Sequence, residues 1–154
     1  MRKETDYRTL LAQAEGLLRE EPWCVAAFSH VSAMIMATME ELNWAGFYLL
    51  RGGVLTAGPY QGKPACLHIA PGKGVCGTAL VKDETVVVPD VHLFPGHIAC
   101  DGASASEIVI PLHRNGQPAG VLDIDSPVKD RFSAEDREGL EALVRLMEEK
   151  MVWE

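Results

Sequence analysis

The hydrophobic positions near the start of the chain follow a helical period. Residues 5–20 carry leucine and alanine at intervals of three and four, which predicts an amphipathic helix that Thr5 can cap. Pro22 fits the first turn of a second predicted helix, residues 23–40. The expected buried side of that second helix holds Val25, Phe28, Val31, Ile35 and Met39.

The pattern then changes to short β-branched and aromatic runs bounded by turn residues. The predicted strands are residues 43–50, 54–60, 85–88, 107–112 and 120–125. Gly52 and Gly53 favour a tight hairpin turn between the first two strands, and Asn115-Gly116 favours another between the last two. A short extended piece at 66–69 and a short helix at 74–81 lie between the hairpins.

The helical period returns at the C-terminal end. Ser133 is expected to cap a final helix, with Asp136 in the capping-box position. The buried stripe of that helix is expected to be Leu140, Leu143, Val144, Met147 and Met151. Hairpins dominate and no βαβ alternation occurs, so the sequence predicts an α+β fold with an antiparallel sheet and helices on one face. We expect a single domain over 1–154, with N-terminal helices in 1–40 and the sheet, loops and last helix in 41–154.

Composition and charge exclude some classes of partner. Fourteen basic residues against 22 acidic ones give a net charge of -8, which disfavours binding to nucleic acid or to an anionic membrane surface. No apolar run reaches the roughly 18 residues that cross a bilayer, and the first residues lack the pattern of a secretory signal. We therefore expect a cytoplasmic protein, where cysteines are more often reduced, catalytic or metal-bound than structural disulfides.

Three of the four cysteines, Cys66, Cys76 and Cys100, fall in a glycine- and proline-rich stretch that is expected to form loops. A thiolate that a substrate oxidises becomes a sulfenic acid, and a second thiol then resolves it to a disulfide. Cys100 follows a Pro-Gly turn, and Cys66 or Cys76 could be the second thiol. The same spacing is explained equally well if these three cysteines are simply buried as small apolar residues. A zinc site has less support, because the sequence lacks a closely spaced pair of cysteines that would accompany a closely spaced pair of histidines. We therefore predict no metal and no cofactor.

Carboxylates and aromatic residues form a second signal. Asp123 and Asp125 alternate with apolar residues along a strand, so both point to one face of the sheet, and Glu107 opens the preceding strand. Either that face is solvated, or the carboxylates line a pocket where they bind a cation or donate a proton. Trp44 and Tyr48 share a face of the first strand. Aromatic residues opposite carboxylates would suit a small ligand with an ammonium group.

Four segments together resemble one family. They are NWAGFYLL, GPYQGKPACLHIAPGKGVCGTAL, VPDVHLFPGHIACDGASASEIVIPL and GVLDIDSP. They resemble the free methionine-(R)-sulfoxide reductases, which are built on a GAF domain. The resemblance implies a GAF fold, with an antiparallel sheet flanked by helices, and assembly as a homodimer. It also implies reduction of free methionine-(R)-sulfoxide through a cysteine disulfide that a thioredoxin-type reductant recycles.

The resemblance also implies roles for individual residues. Cys100 corresponds to the catalytic cysteine, Cys66 to the main resolving cysteine and Cys76 to a third cysteine that takes part in resolution or relay. The implied substrate-binding residues are Trp44, Tyr48, Glu107, Asp123 and Asp125. The alternative is a GAF-type sensor that binds a small molecule without catalysis, although a sensor has no need for three such cysteines.

Overall fold

In the part of the chain that the structure describes, six antiparallel strands form one sheet. The computed structural model describes residues 1–98, 100 and 102–154. The strands are β1 (Trp44–Arg51), β2 (Val54–Gly62), β3 (His68–Ile69), β4 (Val86–Val88), β5 (Ser106–Arg114) and β6 (Gln117–Ser126). Their order across the sheet is β3-β2-β1-β6-β5-β4. The α+β class with an antiparallel sheet is therefore confirmed.

Three of the four α-helices among the described residues lie on one side of this sheet. The helices are α1 (Tyr7–Glu20), α2 (Cys24–Thr38), α3 (Gly74–Lys82) and α4 (Ala134–Lys150), with α1 packed on α2 and α4. Leu122 and Ile124 of β6 point toward α1, α2 and α4 and are fully buried in the larger hydrophobic core. The predicted stripe of α4 is buried there too. No helix in the described ranges has the length and apolar content that a membrane span requires.

The remaining helix, α3, lies on the opposite face of the sheet, so the expectation that the helices cover a single face is wrong. Helix α3 packs against β5 and β6 from the opposite side, where it forms a second hydrophobic core. Val109 of β5 and Val121 of β6 are buried on that side against Val75 and Ala79 of α3. Because strand side chains alternate, a strand with apolar residues at successive positions needs cover on both faces.

The helix ends and buried stripes differ from the sequence-based expectation in three places. Helix α2 begins at Cys24 with Trp23 as its N-cap, so Pro22 precedes the helix and does not lie in its first turn. Asp6 rather than Thr5 caps α1, since its carboxylate accepts a hydrogen bond from the Thr9 amide at 3.2 Å. Val25 of α2 is 45% exposed rather than buried. At the other end of the chain, Ser133 and Asp136 form the predicted capping box of α4, so that prediction is confirmed.

A histidine links three elements at the edge of the fold. The His113 ring on β5 places Nδ1 2.7 Å from Glu148 Oε2 on α4 and Nε2 2.6 Å from Asp83 Oδ1, just after α3. Burial lowers the pKa of His113, but hydrogen bonds to the two carboxylates outweigh it and leave the pKa raised. The protonated imidazole therefore holds β5, α3 and α4 together.

His113→Gln is expected to lower the free energy of unfolding by about 1 kcal/mol at pH 6, where the imidazole is protonated. The folded-state pKa is raised above that of the unfolded chain, so this stabilisation is complete below the unfolded pKa and disappears as pH rises through the folded one. Urea unfolding at pH 6 and pH 9 measures the difference. His30→Gln on the exposed side of α2 is the control. An equal effect of His113→Gln at both pH values would contradict the charge-based account.

Candidate active site

A cavity opens on the face of the sheet that carries α3. Its volume is about 520 Å³ when the open space at its mouth is included. Seven of the eight residues predicted for the site line it: Trp44, Tyr48, Cys76, Cys100, Glu107, Asp123 and Asp125. The eighth, Cys66, is bonded to Cys100 at the same place. The fold therefore brings the whole predicted set together, while the roles of its members stay predictions.

The register of the sheet explains why distant residues meet at this cavity. Trp44 on β1 pairs with Asp125 on β6, and Asp125 pairs in turn with Glu107 on β5. These three residues form one row across three strands. Asp123 lies two positions along β6 from Asp125, so its side chain points to the same face. Of the two interpretations of the aspartate pair, the structure supports the pocket, because Asp123 is only 6% exposed.

Stacked aromatic rings form one wall of the cavity. The ring centroid of Trp44 lies 5.8 Å from that of Tyr48 and 4.9 Å from that of Tyr60. The Tyr48 hydroxyl donates a hydrogen bond to the carbonyl of Cys66 at 2.9 Å. Gly62 has φ +132°, and a Cβ there would lie 2.6 Å from the Trp44 ring, so only glycine leaves room for the indole. The wall is thus tied to the loop that carries Cys66.

Buried acidic groups form the floor of the cavity. Burial raises the pKa of Glu107 well above its usual value, and the nearby Asp123 and Asp125 raise it further. Burial also raises the pKa of Asp123, although hydrogen bonds to Glu107 and Cys76 oppose the rise. Two adjacent carboxylates in a buried site cannot both ionise cheaply, so burial and mutual repulsion favour a shared proton on the pair. Both burial and the neighbouring charges raise the pKa of Glu107, so Glu107 retains the proton more readily than Asp123.

Cys76 differs from the expectation of a loop thiol. It lies in the first turn of α3, is 3% exposed and belongs to the second hydrophobic core. Burial raises the pKa of this thiol well above its usual value, and the charge of Asp123 adds to the effect. A neutral thiol packed against a carboxylate is a poor nucleophile. The short apolar helix, which the sequence predicted, is what buries it.

The same floor has the spacing of a metal site. Ligand atoms of Cys76, Glu107 and Asp123 lie within 4.8 Å of one another. A cation would have to displace the protons that the raised pKa values of Cys76 and Glu107 favour on these two groups. The arrangement therefore favours proton donation over metal binding.

A disulfide closes the mouth of the cavity. Cys66 and Cys100 are bonded, with their Cα atoms 5.6 Å apart and a separation of 34 positions in sequence. The bond joins the loop after β2 to the loop before β5. This is the pair that the family resemblance implied, whereas the spacing of the cysteines left Cys66 and Cys76 equally open. Cys24 and Cys76 are free among the described residues.

Sequence reasoning missed His97 as a site residue. The ring lines the cavity, and Nε2 lies 3.8 Å from Glu107 Oε1. Its side chain is 17% exposed, and burial lowers the pKa of His97. It therefore lies between solvent and the buried acids. The only signal was its position three residues before Cys100, which does not tell which way the ring points.

Comparison with known proteins first defines the class. The family model for the GAF domain matches residues 26–149, which is most of the chain and includes every site residue described above. The protein is thus built on a GAF domain.

Full-length relatives narrow the class further. The chain is 47% identical to the free methionine-R-sulfoxide reductase of Escherichia coli, over 96% of this chain and 90% of that one. It is 46% identical to protein YtsP of Bacillus subtilis, over 97% and 93%. The fRMsr of Staphylococcus aureus, solved in complex with substrate, superposes with a TM-score of 0.94 at 47% identity and covers 99% of both chains. The chain therefore belongs to the GAF-domain family of free methionine-R-sulfoxide reductases.

Proposed function

We propose that this protein reduces free methionine-(R)-sulfoxide to methionine, with Cys100 as the nucleophile and Cys66 as the resolving thiol. The observation that carries the proposal is the Cys66–Cys100 disulfide at the mouth of a cavity with an aromatic wall and an acidic floor. The similarity to reductases of this name supports the same substrate.

Each wall of the cavity has chemistry that suits part of the substrate. Asp125 and Asp123 supply negative charge for the α-ammonium group. The methyl group on sulfur packs against the ring of Trp44. The neutral Glu107 carboxyl donates a hydrogen bond to the sulfoxide oxygen, which makes the sulfur more electrophilic. A substrate bound in this way presents its sulfur toward the mouth, where Cys100 lies.

The reaction then proceeds in two steps. The Cys100 thiolate attacks the sulfur, and the oxygen is transferred to Cys100 with a proton from Glu107, so methionine leaves and Cys100 becomes a sulfenic acid. The Cys66 thiol attacks that sulfenic acid, the S–O bond breaks and water leaves, which forms the disulfide. One sulfoxide and two thiols thus give one thioether, one disulfide and one water. Cys76, buried and neutral, stabilises Asp123 by a hydrogen bond rather than resolving the sulfenic acid.

The reaction leaves the protein oxidised, so a donor must restore the thiols. We propose that a thioredoxin-type dithiol carries out this step. We also propose that the step takes place in a reducing compartment such as the cytoplasm. A dithiol suits the step because the first thiol forms a mixed disulfide and the second releases it.

The assay that tests the function follows both epimers of free methionine sulfoxide. Racemic sulfoxide is incubated with the protein and dithiothreitol, and the epimers are separated by chromatography. We expect the R epimer alone to disappear. If the fully reduced protein consumes neither epimer, the alternative of a ligand-binding GAF sensor replaces the enzyme, and a binding screen is the next step.

We also propose that the protein forms a homodimer through an apolar face at the start of α2. Trp23, Val25 and Val152 are each at least 45% exposed, and an amide-carbonyl bond from Cys24 to Val152 brings the two segments together. Light scattering is expected to give twice the chain mass of 16.8 kDa, and Val25→Asp is expected to shift the mass toward one chain. A wild-type monomer at micromolar concentration would rule the dimer out.

A further inference from the structure

Apolar side chains surround the disulfide on the outer surface of the protein. Leu67 follows Cys66 and is 68% exposed, and Ile98 lies two residues before Cys100 and is 38% exposed. Consecutive Cα atoms are about 3.8 Å apart, so Leu67 lies about 4 Å and Ile98 at most about 8 Å from the nearer disulfide Cα. Both apolar residues therefore lie close to the bond that has to be reduced, and Ile98 also lines the cavity.

The charge of the segment that carries Cys66 differs from that of the chain as a whole. The segment 61–74 contains Lys63 and Lys73 and no acidic residue, although the chain carries a net charge of -8. Both lysines are exposed. A Cβ at Gly74 would lie 3.1 Å from the Ile98 side chain, so Lys73, the residue before Gly74, borders the apolar residues beside the disulfide. A partner that docks here needs an apolar face with acidic residues beside it.

We propose that this surface, made of Leu67, Ile98 and Lys73, is the docking site of a protein dithiol that reduces the Cys66–Cys100 bond. The proposal rests on the proposed function, because only a disulfide formed in each turnover needs such a partner. The partner's thiolate attacks one sulfur of the pair, the S–S bond breaks and a mixed disulfide forms. Its second thiol attacks the mixed disulfide, which leaves two thiols on this protein and a disulfide on the partner.

The location of the bond favours a docked protein over a free one-cysteine thiol. Attack requires the incoming sulfur to lie in line with the S–S bond, and both cysteines are only partly exposed. A partner protein that contacts Leu67 beside the disulfide holds its own thiolate next to the Cys66–Cys100 bond. Small dithiols such as dithiothreitol reach the bond without using the surface.

The experiment compares two reductants on Leu67→Asp. Leu67 does not line the substrate cavity, so turnover with dithiothreitol is expected to stay at the wild-type value. With thioredoxin, thioredoxin reductase and NADPH, kcat/KM for thioredoxin is expected to fall at least about 10-fold, because a charged side chain replaces a central apolar contact. Val81→Asp is the matched control, since Val81 is 64% exposed in the last turn of α3 and does not line the substrate cavity.

A second variant tests the charge. Lys73→Glu is expected to lower kcat/KM for thioredoxin about threefold or more and to weaken its dependence on salt, while turnover with dithiothreitol is unchanged. This variant also carries the test if Leu67→Asp does not fold. Unchanged kcat/KM for thioredoxin in both variants would overturn the docking site, as would an equal loss with the two reductants. Wild-type protein that is inactive with dithiothreitol would instead overturn the proposed function itself.

Discussion

Cys100→Ser is expected to abolish the reduction of free methionine-(R)-sulfoxide, with a loss of at least about 10³-fold in kcat. A serine hydroxyl stays protonated at neutral pH and is a much weaker nucleophile toward sulfur than a thiolate. It also cannot form the bond that joins Cys100 to Cys66 in this structure. The measurement is consumption of the R epimer with dithiothreitol, and retained turnover would reject Cys100 as the nucleophile.

The buried Cys24 serves as the control for this variant. Cys24 lies on α2 in the larger core, and its thiol contacts the carbonyl of Trp153 at 3.2 Å, a contact that serine retains. Cys24→Ser is therefore expected to keep wild-type activity.

Cys66→Ser is expected to release one methionine per chain in a single turnover but to recycle poorly with thioredoxin. Equal losses in both assays would contradict a resolving role for Cys66.

The sheet was predictable from sequence because the alternation that defines it is local. In β6, apolar residues alternate with Asp123 and Asp125, and this alone assigns Leu122 and Ile124 to the opposite face. The glycines between β1 and β2 likewise mark a turn through their own backbone, since both have positive φ. Such signals depend on neighbouring residues and do not need the rest of the fold.

The position of α3 was not predictable in the same way. Its nine residues, GVCGTALVK, are apolar on nearly every side, so periodicity does not tell which face is buried. Which side of the sheet it covers depends on the loops that lead into it. The burial of Cys76 follows from that packing, and therefore a residue that sequence reasoning placed in a loop lies in the second core.

The aromatic and acidic residues of the site were identified, but their electrostatics needed the fold. Glu107 and Asp125 are far apart in sequence and pair across β5 and β6, where Asp123 lies beside them. Only this proximity, with burial, raises the pKa of Glu107. His97 was missed for the same reason, since its 3.8 Å approach to Glu107 brings a loop onto a strand.

Glu107→Gln is expected to lower kcat/KM for methionine-(R)-sulfoxide by about 10²- to 10³-fold at pH 7. The amide can donate a hydrogen bond to the sulfoxide oxygen but cannot transfer a proton to it. In the wild type, the raised pKa favours the protonated form of Glu107, so activity is expected to fall as pH rises through that pKa. The variant has no proton to lose there, and this basic limb of the pH profile is expected to disappear.

The pH profile separates proton donation from a purely structural role of Glu107. If the carboxyl only maintained the packing of the cavity floor, Glu107→Gln would lower activity by the same factor at every pH and the basic limb would persist. Glu149→Gln, on the exposed side of α4, is the matched control and is expected to leave both rate and profile unchanged. A basic limb that survives in Glu107→Gln would move the proton to Asp123, the other buried acid whose pKa is raised at the floor of the cavity.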